Sequence, residues 1–340
     1  MLCNPVFLPL PTSEFFTGSE VFHSCTIIPM TLVSIITPSF NQASYIEQTL
    51  CSVLDQDYAD IEYVVIDGGS TDGSVEIIKK YASRLSYWAS ETDTGQAEAI
   101  NKGMAHARGE IVAWLNSDDY YLPGTISAAV KVFNENPDLV LIYADMLAVD
   151  EHSQIFNAFH YRQLALEDLL SFQIIGQPAV FMRRTAFENA GGLDPSYHYL
   201  LDHHLWIRIA AQGRILHVPQ TWAAARYHVE AKNRAQAAAF GREAFRILDW
   251  AKTDAYLAPI LSLILRRATA SAHRVNARYL LDGGQSAASL AAWRYALFIH
   301  PPTALARLNL PGSAFLNLMG LGKLREAVLE KRQKDHLGRV

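Results

Sequence analysis

Three cysteines, Cys3, Cys25 and Cys51, are all that 340 residues contain. They set up no disulfide framework and no paired metal spacing, which fits a reduced, cytoplasmic compartment. Basic charge is also short: 29 Lys and Arg stand against 34 Asp and Glu, for a net charge of −5. A nucleic-acid binder working by phosphate neutralisation is thereby disfavoured, and no nucleic-acid partner is expected. No apolar run reaches the roughly eighteen residues that a spanning helix needs. The nearest, residues 255–265, is interrupted by Pro259 and predicts a buried or interfacial helix, with burial preferred. No Gly-x-Gly-x-x-Gly follows the first apolar strand, so a dinucleotide-dependent dehydrogenase is disfavoured. Residues 1–30 lack a basic start followed by an apolar core, so they do not read as a signal peptide. With Pro5, Pro9, Pro11 and Gly18 they read as an irregular extension. Met30, just ahead of the first strand, is the expected translation start, which N-terminal sequencing of native protein checks.

Half of the residues are hydrophobic, enough for a sizeable core, and the length allows two domains. Apolar, β-branched strands are expected at residues 32–37, 61–66, 85–89 and 110–115. Helices are expected between them: one opened by a Ser44/Glu47 capping box, one capped by Asp72, and one over residues 96–107. Strand-helix alternation implies an α/β fold whose sheet is largely parallel. Ligands of such sheets bind beyond the carboxyl ends of the strands, where Thr37, Asp67, Ser90 and Asn116 fall. Further on, residues 139–148 and 153–159 read as an antiparallel pair, 179–182 as a short strand, and 185–190 and 201–212 as helices. Gly191 and Gly192 close the first of these. Residues 214–218 and 222–227 read as two closing strands. From about residue 231 the chain turns Ala-, Leu- and Arg-rich and helical, broken at Gly283-Gly284 and Pro301-Pro302.

The most telling stretch is Ile111-Val112-Ala113-Trp114-Leu115-Asn116-Ser117-Asp118-Asp119, an apolar strand that stops at two adjacent carboxylates. Such a pair repels itself unless a cation or hydrogen-bond donors sit beside it. Oxygen ligands on a rigid strand end suit Mg²⁺ or Mn²⁺, ions that usually arrive with phosphates. The competing reading is a turn whose aspartates cap the helix after Pro123.

Ahead of that stretch come Thr37-Pro38-Ser39-Phe40-Asn41, Asp67-Gly68-Gly69-Ser70-Thr71-Asp72 and Asp93-Thr94-Gly95-Gln96 through Asn101-Lys102-Gly103. In this order the four motifs resemble a family-two glycosyltransferase of the GT-A fold, over roughly residues 31–233. The resemblance implies a mainly parallel mixed sheet flanked by helices, with an irregular extension at 1–30, a GT-A domain at 31–230 and a C-terminal helical annex at 231–340. It implies an inverting transferase that moves a sugar from a nucleotide-diphosphate donor to a hydroxyl, as in cell-surface glycan assembly. UDP- or dTDP-sugars are the expected donors, a saccharide or lipid-linked alcohol the acceptor, and Mn²⁺ or Mg²⁺ the cofactor. The annex is a candidate for peripheral contact with the inner membrane face.

By this resemblance Asp118 is the metal ligand, with Asn116 in place of the usual first carboxylate and Ser117 between them. His228, in Arg226-Tyr227-His228, matches an Arg-x-His near the metal, against the alternative of a surface histidine. Arg226 itself reads equally as a phosphate partner or a solvated strand residue. Asp202, in Leu201-Asp202-His203-His204-Leu205-Trp206, is the base candidate. Leu201 stands where Glu is usual, an ordinary N-cap is the alternative, and His203 and His204 are rival bases. Asp67 and Asp93 are expected to hold the nucleoside, since a carboxylate accepts an imide N–H or ribose hydroxyls. Gly68 replaces a second acid there. Thr37, Pro38 and Asn41 form the loop over base and ribose. Gln96 opens a helix whose free N–H groups suit an anion, and Lys102 is either a phosphate contact or a solvated helix residue. Asn101 is expected to brace the metal loop. Gln177-Pro178 resembles an acceptor-side segment.

A processive polysaccharide synthase would need spanning helices and a Gln-x-x-Arg-Trp motif, both absent from the sequence. A nucleotidyltransferase would open with a Gly-rich basic loop, which Thr37-Pro38-Ser39 is not. The remaining rival is a non-catalytic scaffold of the same fold that binds sugars or protein partners, favoured by Asn116 and Leu201.

Overall fold

A computed structural model describes residues 31–227 and 237–321. The N-terminal extension with Met30, His228 and residues 322–340 lie outside the described residues. Among the described residues nine strands form one mixed sheet in the order β3-β2-β1-β4-β8-β6-β9-β5, with β7 paired to β6. The strands are β1 (Val33–Ser39), β2 (Ile61–Asp67), β3 (Tyr87–Ser90), β4 (Ile111–Trp114), β5 (Tyr120–Tyr121), β6 (Leu139–Val149), β7 (Ile155–Phe159), β8 (Val180–Arg183) and β9 (Arg214–Arg226). β3, β2, β1 and β4 are mutually parallel. β8 runs against both β4 and β6, while β6 and β9 are parallel. β6 and β7 are antiparallel, as expected.

Side chains alternate across each strand, and both faces are covered. Ile36, Val64, Ile66, Val112 and Trp114 face one apolar cluster; Val33, Ile35, Tyr63, Val65, Ile111 and Ala113 face another. α1 (Ile46–Leu54), α2 (Ser74–Tyr81) and α4 (Thr125–Glu135) pack on the second face, α3 (Gln96–His106) and α7 (Leu201–Ala210) on the first. α3 lies close over β1 because Gly103 has no side chain: a Cβ there would meet Ile36 Cγ2 at 2.4 Å. α5 (Leu166–Leu170) and α6 (Arg184–Asn189) are short, and Gly191 and Gly192 end α6 at φ 77° and 72°. The C-terminal helices are α8 (Ala237–Thr253), α9 (Leu257–Asp282), α10 (Ser286–Ile299), α11 (Pro301–Leu305) and α12 (Asn309–Leu318). Phe240, Ile247, Leu248, Leu261 and Val275 from α8 and α9 share the cluster that holds Trp114 and Trp206.

Several local expectations change. No capping box forms at Ser44: Tyr45 is the N-cap of α1 and makes no side-chain cap bond. Glu47 instead accepts the Tyr81 hydroxyl at 3.1 Å. The two closing strands are one, β9, whose register against β6 slips between Val218 and Thr221, where Pro219 and Gln220 interrupt the pairing. Proline lacks the N–H that an unbroken ladder needs. The helix of residues 255–265 is only half buried: Leu257 and Leu261 are covered, whereas Leu263 is 87% exposed. Among the described residues no helix is long and apolar enough to cross a membrane.

Candidate active site

Parallel pairing aligns Ser39 with Asp67 and Asp67 with Ser90, so three strands end in register at one edge. The motifs gather there. Asp67 is fully buried, and its carboxylate accepts N–H groups of Gly69 and Ser70 at 3.1 and 2.9 Å and hydroxyls of Ser70 and Ser90 at 2.5 and 2.7 Å. It therefore shapes the turn after β2. Asn41, at φ 52°, accepts the Thr71 N–H at 2.9 Å and donates its own N–H to the Ser70 hydroxyl, tying the β1 loop to that turn. The Thr37 hydroxyl points into the core against that of Tyr63 (2.9 Å), and Pro38 is buried beside it, so both shape the loop from beneath.

Asp93 accepts the Gly95 N–H at 2.9 Å, and burial is the main cause that raises its carboxyl above the usual range. Its Oδ2 lies 2.8 Å from where a Cβ at position 68 would sit. That approach explains the glycine in place of a second acid: any side chain at 68 would displace Asp93. Lys102 contacts Glu91 and Glu98, each at 3.0 Å, and these two carboxylates raise its pKa, so in this structure its ammonium is engaged on the helix surface.

The turn after β4 is built from amides and one arginine. Gln96 Nε2 donates to Asn116 Oδ1 at 2.6 Å, and Asn116 Nδ2 donates to Gln177 Oε1 at 3.2 Å and Asp119 Oδ2 at 3.3 Å. Gln177 in turn donates to the Trp114 carbonyl at 2.8 Å. Gln96 and Gln177 thus fix the Asn116 side chain from two sides. Ser117 and Asp119 are buried, and Asp118 is partly exposed. Asp119 accepts the Arg226 N–H at 2.9 Å; burial first, then the neighbouring Asp118 charge, raises its carboxyl well above the ordinary value. Arg226, 5% exposed, is neither a solvated strand residue nor open toward a phosphate. It donates to the carbonyls of Asp118, Asp150 and Glu151 and to the side chains of Gln48 and Ser153, over the Tyr45 ring. Asn101 also departs from expectation: it exchanges hydrogen bonds with the Leu193 backbone at 2.8 and 2.9 Å and does not brace the metal loop.

Among the described residues no three His, Cys, Asp or Glu side chains converge as a metal cage. Asp118 is partly exposed at the turn after β4, and a hard ion held by few protein oxygens keeps water and substrate phosphates as its other ligands.

Asp202 sits in the first turn of α7 and accepts the His203 N–H at 2.7 Å. Among the described residues no cation pairs with it. Burial, aided by the charge of Glu243, pushes its carboxyl up to about 6. The rival bases are core groups. His203 Nε2 meets the Leu169 carbonyl at 3.0 Å, and burial holds that ring down to about 4. His204 lies between Tyr197 and Trp250 and is held down to about 3, again chiefly by burial. Trp206, one turn after Asp202, stacks on Trp114 at 5.0 Å, which docks α7 on β4. Tyr279 of α9 is within electrostatic reach of both Asp202 and Tyr227, and Tyr227 of Asp119. The sequence reading missed Glu243, Tyr279 and the bracing role of Arg226. A lone acid or tyrosine in an Ala- and Arg-rich helix carries no local signal of what it will face. A hollow of about 470 Å³ beside Gly284–Ala288 and Leu318 carries no titratable side chain and lies in the C-terminal helices.

Residues 34–191 match glycosyl transferase family 2. The chain is 30% identical over 187 residues to TuaG of Bacillus subtilis, a glycosyltransferase assigned to teichuronic acid biosynthesis, covering 54% of this chain and 73% of that one. It is 32% identical to an uncharacterized glycosyltransferase of Rickettsia typhi over 52% of this chain, and spans 58% of that relative's length. Among solved structures, the mannosyltransferase PcManGT of Pyrobaculum calidifontis, in complex with GDP-Man and Mn²⁺, superimposes with a TM-score of 0.58 at 22% identity, over 90% of this chain and 87% of that one. Residues 1–349 of S. aureus TarS, in complex with UDP-GlcNAc, give 0.56 at 17% identity over 89% and 92%. The fold is accordingly GT-A, and the chain belongs to glycosyl transferase family 2.

Proposed function

We propose that the chain is an inverting glycosyltransferase that moves a sugar from a UDP- or dTDP-sugar to a hydroxyl of a saccharide or lipid-linked acceptor in glycan assembly. The observation that carries this reading is Asp202: a half-buried carboxylate with no cationic partner among the described residues, pushed up to about 6 chiefly by desolvation, on a helix docked on β4. It takes the acceptor's proton as the acceptor oxygen bonds to the anomeric carbon. The bond from that carbon to the diphosphate breaks, and its electron pair leaves with the nucleoside diphosphate. A positioned base of this kind is worth about 10²–10⁴ in rate. Asp118, with His228 from outside the described residues, would hold the Mn²⁺ or Mg²⁺. When bound, that ion neutralises charge on the leaving diphosphate. Asp67, Asn41 and Asp93 organise the nucleoside loops, with Thr37, Pro38, Gln96 and Ser117 around them. The binding of UDP-GlcNAc by TarS and of GDP-Man with Mn²⁺ by PcManGT supports a nucleotide-sugar donor and a metal. Incubation with a panel of nucleotide sugars, with Mn²⁺ or with EDTA, tests the reading. Nucleoside diphosphate release that needs the metal and is lost in Asp202→Asn is expected; near-normal turnover by that variant removes Asp202 from the role. Absence of turnover with specific donor binding would favour the scaffold.

Peripheral membrane contact is part of this reading. Residues 231–340 carry 17 Lys and Arg against 7 Asp and Glu, whereas residues 31–230 carry 12 against 25. Leu263 and Phe298 are each 87% exposed, and Arg266, one turn from Leu263, donates to the Ile299 carbonyl at 3.0 Å. Apolar side chains beside guanidinium groups suit an anionic lipid surface. Sedimentation with phosphatidylglycerol vesicles but not phosphatidylcholine vesicles is expected, weakened by Phe298→Ser; equal binding to neither removes this part.

A further inference from the structure

The chain leading into α7 is gripped by one face of α8. Phe240 packs on Tyr199 at 4.8 Å, Arg246 covers the Tyr197 ring at 4.1 Å and donates to the Ser196 carbonyl at 2.8 Å, and Trp250 meets His204 edge-on at 4.5 Å. At the centre is Glu243, 8% exposed. Its Oε1 accepts the His198 N–H at 2.7 Å, and its Oε2 those of Tyr199 and Leu200 at 2.9 and 2.7 Å. N–H groups at a helix start need partners from outside the helix. Leu200, the N-cap of α7, supplies no side-chain bond. A carboxylate from 43 residues further along does this work through charge-assisted hydrogen bonds.

We propose that Glu243 is a positioning residue for the reaction: by binding the three backbone N–H groups that lead into α7 it fixes the start of that helix and with it the place of the Asp202 carboxylate. This rests on the reading of Asp202 as the base. It also gives the C-terminal helices a part in transfer, as the support of the base. Among the described residues the groups facing Asp202 are few. Glu243 comes from α8, and its charge raises the Asp202 pKa in the same direction as burial, which is the larger cause. Tyr279 comes from α9 and is pushed up to about 12, so it stays a phenol; on α7 itself His203 stays neutral above about 4.

The experiment compares intact wild type, Glu243→Gln, Glu243→Asp and Asp202→Asn. Thermal unfolding is followed at pH 5 and pH 8, and the pH dependence of turnover is measured with UDP-glucose, UDP-GlcNAc, dTDP-rhamnose and GDP-mannose. In Glu243→Gln the acidic limb of kcat is expected to move down by about half a pH unit or more. Removing Asp202 should raise Tm more at pH 8 than at pH 5, because only the ionised carboxylate is repelled, and this difference should shrink in the Glu243→Gln background. A limb, a kcat and a Tm difference that all match wild type overturn the inference. If Glu243→Gln does not fold, Glu243→Asp decides. The shorter carboxylate should leave the limb in place but lower kcat about tenfold at unchanged donor KM, since it cannot span three amides; wild-type kcat overturns the inference. Failure of the underlying reading is separate: Asp202→Asn would then keep its turnover whatever Glu243 does.

Discussion

The two acidic turns, one after β4 and one opening α7, use the same residue type under opposite electrostatics. Asp118 and Asp119 are backed by buried Arg226, whose guanidinium donates to the Asp118 carbonyl and the β6–β7 turn and whose backbone N–H donates to the Asp119 carboxylate. Asp202 is supported by an anion, Glu243, which reaches the backbone N–H groups ahead of it and adds repulsion. The first arrangement is rigid and polar. Burial disfavours the charged carboxyl in both, at Asp119 and at Asp202; what differs is the partner behind it, an arginine in the first and a second carboxylate in the second. Identical side chains thus acquire different chemistry from what lies behind them.

The comparison can be broken at several points. The largest effect is expected from Arg226→Met, which strips the β4 turn of its brace; a buried guanidinium with many partners leaves each of them unsatisfied, at about 3 kcal/mol or more in urea unfolding. On the α7 side, Asp202→Asn should cost about 10²–10⁴ in turnover while leaving the fold intact. Gly68→Ala should displace the Asp93 carboxylate, weakening donor binding with little change in stability, read by donor KM and by thermal unfolding. His204→Phe sharpens the picture of α7 through pH. Burial depresses this histidine to about 3, below its unfolded value, so its stabilising contribution is present above about 6.5 and is lost as pH falls toward 3. The phenyl variant should therefore gain on the order of 1 kcal/mol over wild type at pH 5, and the gain should vanish above pH 7. The smallest effect is expected from Lys102→Met, since Lys102 faces Glu91 and Glu98 near the surface; donor KM should change less than about twofold.

The parallel strands were legible because β-branched runs alternate with helical periods, and the edge where Ser39, Asp67 and Ser90 meet follows from that alternation. The motif residues were legible as positions but less so as contacts. Thr37 faces the core and Asp67 spends its oxygens on its own turn, because both hydrogen-bond choices depend on neighbours 23 to 26 residues away. Asn101 was misplaced for the same reason, its partner Leu193 being 92 residues distant. The capping box failed because the Tyr81 hydroxyl donates to Glu47 from the neighbouring helix.

Local sequence alone determined the α/β order and the strand ends at which Asp67 and Asn116 fall, since periodicity and turn chemistry act over a few residues. Which carboxylate has an arginine behind it and which has a second carboxylate was decided only by tertiary structure. Burial and the placement of Arg226 and Glu243 depend on chain segments 43 to 108 residues apart meeting in space, and electrostatics follows distance in space, not along the chain.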